Sequence, residues 1–173
     1  MRLSVKFRAL AGALSVVFGA ATVLAAALFP AEPEEPGARQ QASAEPWSSA
    51  EILKPDALAG AIKPGKDAKP AVTIVYVGFR TLFEGAHVPG AVFHGTASSA
   101  TGMAELRKWL ADQPRSVDIV IYCGCCPFDH CPNIRPAYKA LREMGFEKVR
   151  VVVMPTSFNA DWVEKGYPIE KGM

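Results

Sequence analysis

All four cysteines of the chain fall within residues 123–131 (CGCCPFDHC), together with His130. Residue types this reactive at this spacing support several chemistries. Cys123 and Cys126 form a C-x-x-C pair, in which one thiolate attacks a substrate disulfide and the other resolves the mixed disulfide. Cys123, Cys125, Cys126, His130 and Cys131 are also soft or borderline ligands suited to copper(I) or zinc. A structural zinc site usually draws ligand pairs from separate segments, so a single tight loop fits a transient metal site better than a folded zinc module. A staple such as Cys126–Cys131 would leave Cys123 free. Arg135, just past the loop, is a cation placed to lower a thiolate pKa or to bind an oxyanion.

Such a loop needs a frame. The runs 72–77 (VTIVYV), 119–122 (IVIY) and 149–153 (VRVVV) are short, β-branched and continuous, as strands of a buried parallel sheet are. Residues 91–93 offer a fourth strand. Met103, Leu106, Trp109 and Leu110 recur at helical spacing, and Tyr138, Leu141 and Met144 repeat the pattern before Gly145 as a stop. Trp109 and Trp162 are expected on apolar helix faces in the core. Strand–helix–strand order with tight connections predicts an α/β fold with a mostly parallel central sheet flanked by helices. Ligands meet such sheets at the carboxyl ends of strands, and the cysteines directly follow Tyr122. His87 is expected to order its turn, while His94 has no evident partner.

The chain has 173 residues and 50% hydrophobic content, which excludes a fully disordered protein. Much of that hydrophobicity lies in residues 9–29, an uncharged run preceded by Arg2, Lys6 and Arg8 and followed by Glu32, Glu34 and Glu35. This is the layout of a signal peptide or N-terminal membrane anchor over residues 1–29, with small residues at 25–27 for cleavage after Ala27. Either outcome places the remainder outside the cytoplasm, periplasmic or secreted, and held at the inner membrane if the segment is retained. Residues 30–46, rich in Pro and Glu, form a linker. Three of the 19 basic residues belong to the export segment, so the rest has no basic excess over its 17 acidic residues, and nucleic acid is excluded as a partner. The domain at 47–173 is long enough to bury a core without staples or metals. Within it, Ser48 or Ser49 caps a short helix with Ile52 and Leu53 facing inward, and the Pro- and Lys-rich stretch 54–71 reads as a surface loop.

In order along the chain, 49–53 (SAEIL), 85–91 (GAHVPGA), Ile121-Tyr122-Cys123, 141–146 (LREMGF) and 162–168 (WVEKGYP) resemble the motifs of the rhodanese family, over residues 47–171. The resemblance implies a three-layer rhodanese-like fold and sulfurtransferase chemistry without a cofactor. Cys123 would attack the outer sulfur of a small donor such as thiosulfate, hold it as a persulfide and release it to a thiol acceptor. Three departures stand out. The loop after Cys123 is longer than the family's. Tyr76 and Gly78 occupy positions where the family carries an Asp and an Arg, leaving Arg80 and Arg135 as candidate substrate-binding cations. Ser157 and Phe158, after Met154-Pro155-Thr156, replace a glycine pair. The favoured function is an exported sulfurtransferase or persulfide carrier working through Cys123, with Cys125, Cys126 and Cys131 as loop or redox residues. The alternatives are a thiol–disulfide oxidoreductase using Cys123 and Cys126, and a copper- or zinc-handling loop.

Overall fold

The computed structural model describes residues 45–62 and 72–172. Residues 1–29, where the sequence leads one to expect an export segment, most of the 30–46 stretch and residues 63–71 lie outside the described residues. Five parallel strands form one sheet in the order β1-β5-β4-β2-β3: β1 (Ile52–Leu53), β2 (Thr73–Tyr76), β3 (Val92–Phe93), β4 (Ile119–Tyr122) and β5 (Val149–Val152). β4 sits centrally, with Tyr76 paired to Tyr122 on one side and Val151 to Ile121 on the other. Side chains alternate between the two faces of each strand, so one sheet generates two cores. Val75, Ile119, Ile121, Val149 and Val151 face α3 (Ala100–Ala111) and α4 (Ile134–Glu143). Ile74, Tyr76, Val120, Tyr122 and Val152 face α1 (Pro55–Ala61), α2 (Arg80–Gly85) and the π-helical turn Asn159–Val163. Apolar burial on both faces is why β2, β4 and β5 read as unbroken hydrophobic runs. The mostly parallel, helix-flanked α/β architecture expected from the sequence is the one found.

Local structure departs from expectation in four places. Ile52 and Leu53 form an edge strand on β5, not part of a helix; the capped turn is the 3-10 segment Ser49–Glu51 before them, closed by Ser48 and Glu51. Residues 55–61, expected in a surface loop, form α1, because Pro55 is suited to a helix's first turn and Leu58 supplies a buried anchor. α2 was not anticipated; its six residues bury only Phe83. Trp109 is half-buried rather than core, stacked on His94 with ring centroids 4.1 Å apart, which gives His94 its partner. Trp162 is fully buried, as expected, and donates to Pro168 O at 2.8 Å.

Candidate functional site

β4 ends at Tyr122, a fully buried residue whose hydroxyl accepts the Val88 N–H at 3.0 Å. That bond ties the His87-Val88-Pro89-Gly90 turn to the same sheet edge. His87 orders this turn: it is buried, stacks on Phe83 and places Nδ1 2.7 Å from Phe83 O. Past Tyr122 the chain reverses at Gly124 (φ +75), which only glycine adopts without strain, and the Gly124 carbonyl accepts the Phe158 N–H at 2.9 Å. A 3-10 turn, Phe128–His130, brings the chain back to Cys131 and Asn133, the residue immediately before α4.

This fold-back gathers the sulfurs. Cys123 Sγ lies 3.2 Å from Cys125 Sγ, which lies 3.4 Å from Cys126 Sγ. The sulfurs of Cys123, Cys125 and Cys131 are all within 4.8 Å of one another. All four cysteines are free thiols, Cys123 and Cys131 buried, Cys125 and Cys126 partly so. His130 stands apart, its side chain 80% exposed and 3.6 Å from Asp129.

Asn133, overlooked by the sequence reading, holds the group together. Fully buried, it accepts the Ser98 N–H through Oδ1 at 2.9 Å and points Nδ2 at Cys123 Sγ (3.5 Å) and Cys125 Sγ (3.6 Å). Its position in Cys131-Pro132-Asn133, immediately before a helical pattern, was the available signal. Gly78 was also informative in retrospect: a Cβ there would sit 2.9 Å from Cys123 Sγ and against the Tyr76 hydroxyl, so glycine leaves room for the sulfur.

The thiols are electrostatically unequal. Cys123 and Cys131 form a coupled pair in which Cys131 carries the negative charge. The neighbouring Cys123 thiol and the backbone N–H groups of Asn133 and Ile134 favour its charged form, pulling its pKa down to about 5. Cys123, beside the Cys131 sulfur and desolvated, is held protonated well above the usual thiol range. Burial pushes Cys126 up to about 12.

A pocket of about 380 Å³ opens beside the cluster between Tyr76, Leu82, Gly124, Phe158 and Val163. Cys125 lines it, and none of its lining side chains is charged. The two candidate cations point elsewhere. Arg80 lies over the Phe93 ring at 4.8 Å, in a separate pocket with His94 and Trp109. Arg135 is engaged by Glu45 and by the carbonyls of Phe128 (3.3 Å) and Cys131 (3.5 Å), with Trp47 and Phe128 rings beside it. It braces the loop from outside.

No protein-family model and no curated protein matches the sequence. Among solved structures, the BH2092 protein of Bacillus halodurans matches with a TM-score of 0.52 at 17% identity, over 69% of this chain and 76% of that one. The anaerobic ergothioneine biosynthesis enzyme of Chlorobium limicola matches with a TM-score of 0.50 at 17% identity, over 69% of this chain but 28% of that longer one. A rhodanese-like domain from Anabaena sp. matches with a TM-score of 0.49 at 21% identity, over 70% and 79% of the two chains. The α/β fold with a parallel, helix-flanked sheet expected from the sequence is thus one shared with the BH2092 protein and the ergothioneine biosynthesis enzyme. Likeness at this identity concerns the fold alone.

Proposed function

We propose that the protein transfers sulfane sulfur through a persulfide on Cys123, outside the cytoplasm, from a small sulfur donor to a thiol acceptor. The observation that carries this reading is the convergence of the Cys123, Cys125 and Cys131 sulfurs within 4.8 Å of one another at the carboxyl end of the central strand, where Cys131 is the most readily ionised. In the first step Cys131 takes the Cys123 proton as the Cys123 sulfur attacks the donor's outer sulfur. The donor's S–S bond breaks and the remaining fragment leaves with its electron pair, as sulfite does from thiosulfate. An acceptor thiolate then attacks the outer persulfide sulfur, and Cys123 leaves as the thiolate and recovers its proton. Asn133 is a positioning residue, its amide directed at the reacting sulfur.

Access runs through the uncharged pocket to Cys125, with Cys123 Sγ 3.2 Å behind it. A dianion such as thiosulfate finds no counter-charge on those walls, so this reading favours a donor with an apolar, uncharged body. The test is intact-protein mass after incubating the reduced protein with thiosulfate or with an organic persulfide, whose outer sulfur is transferred as its thiolate leaves. A gain of one sulfur, faster from the organic persulfide, supports the function and the donor class; no gain from either rejects the function. For location, we propose that residues 1–29 export a domain beginning near residue 47. Fusion of residues 1–46 to a reporter should carry it out of the cytoplasm, and a cytoplasmic soluble fusion would refute that.

A further inference from the structure

The sulfurs of Cys123, Cys125 and Cys131 enclose a space that sulfur transfer does not require. Persulfide chemistry needs one nucleophile and one base, yet three thiols from both ends of a loop converge within 4.8 Å of one another. Two of them are buried, and one amide, Asn133, is aimed at two of the three. A metal bound to three thiolates at about 2.3 Å each sets its ligands about 4 Å apart in a plane. The observed separations are 3.2 Å for Cys123–Cys125 and no more than 4.8 Å for the others, close to that value. Small side-chain rotations therefore close the triangle.

The geometry points to a copper(I) site built from Cys123, Cys125 and Cys131. Ligand type and number both select this ion. An all-thiolate donor set is soft, and soft sulfur ligands favour Cu(I), Zn(II) or iron–sulfur clusters. Zinc completes a tetrahedron, and the expected fourth ligand, His130, points into solvent beside Asp129. Cys126 is outside the mutual cluster, its sulfur 3.4 Å from Cys125 Sγ. Three sulfurs remain, a number a monovalent d10 ion accepts in a plane.

The surroundings suit a negatively charged complex. The first turn of α4 directs the N–H groups of Asn133 and Ile134 at Cys131, and the Asn133 amide reaches the other two sulfurs. Binding releases the thiol protons of the three ligands to solvent, with no change of oxidation state at sulfur or copper.

The site does not depend on the sulfur-transfer reading, and the readouts are separate. The reduced full-length chain is titrated anaerobically with Cu(I) against bicinchoninate, and X-ray absorption counts the sulfur neighbours. The expected result is one copper per chain with three sulfur ligands. Cys126→Ser should retain it, while Cys131→Ser loses it to the chelator and Asn133→Ala weakens it about 10- to 100-fold. Failure of the native protein to compete with bicinchoninate would overturn the proposal, as would copper retained by Cys131→Ser. Four sulfur ligands with loss on Cys126→Ser would replace it with a tetrahedral site. Because the native protein supplies the stoichiometry and sulfur count, a variant that fails to fold does not decide the outcome.

Discussion

Asn133 Nδ2 points at Cys123 Sγ from 3.5 Å, while the other end of the same amide is fixed by the Ser98 backbone. The strand end and the helix start are thereby locked together through one buried side chain. Asn133→Asp keeps the shape and the acceptor for Ser98 but replaces the amide donor with a negative charge beside the thiols. Like charge disfavours the thiolate. The pH midpoint of sulfur loading should rise by at least about one unit, equivalent to about 1.4 kcal/mol. An unchanged pH profile would remove Asn133 from the positioning role.

The coupled pair sets a pH dependence of definite sign. The Cys131 pKa is lowered, so its thiolate persists as pH falls until about 5 and is lost below that. Loading should be nearly constant from about pH 8 to 6 and decline below about 5. In Cys131→Ser that thiolate is gone, and loading should set in only above the ordinary thiol range, about 8.5 or higher. Rates of mass gain across pH for both proteins check this. A native midpoint near 8.5 would show that Cys131 is not the thiolate of the pair.

Gly124 and Gly145 both have positive φ, +75 and +85. Their surroundings differ. A Cβ on Gly124 would sit 2.7 Å from Phe158 Cβ and 2.8 Å from its backbone nitrogen, whereas a Cβ on Gly145 meets nothing within 4 Å. Gly145→Ala carries only the backbone strain, about 1 kcal/mol. Gly124→Ala adds a steric clash, and its cost should exceed 3 kcal/mol or so while displacing the pocket wall. Chemical denaturation of both variants measures the difference, and equal costs would contradict the packing of Phe158 on the loop.

The two tryptophans make a similar contrast. Trp162 is fully buried and its indole N–H is bonded, so Trp162→Ala should cost about 3–5 kcal/mol. Trp109 is half-buried against His94, and Trp109→Ala should cost about 1–2 kcal/mol. Denaturant midpoints at constant m-value give both numbers. A reversed order would mean that α3 presents a different face to the sheet.

What the sequence disclosed follows from burial. β2, β4 and β5 are covered on both faces, so their residues must be apolar without interruption, and that pattern is visible in one dimension. β1 is a two-residue edge strand with Ile52 exposed, too short for any period to emerge. α1 hides among prolines and lysines because only Leu58 need be buried in it. The site was half legible. Four cysteines in one loop advertise sulfur or metal chemistry, but which thiol is ionised depends on where α4 begins relative to Cys131. Asn133 is a single polar residue whose partners, Ser98 and Cys123, are 35 and 10 residues away. The positions of Arg80 and Arg135 follow from aromatic and carbonyl contacts that no spacing rule encodes.

Persulfide formation on Cys123 is the central claim, and intact-protein mass of single Cys→Ser variants tests it most directly. Each variant is reduced, treated with the organic persulfide donor and weighed. Cys123→Ser should gain no sulfur, Cys126→Ser should load as the native protein does, and Cys131→Ser should load only at alkaline pH. Full loading of Cys123→Ser would contradict the account. A mixed disulfide trapped on Cys123 in the Cys126→Ser variant, in place of a one-sulfur gain, would establish thiol–disulfide exchange instead.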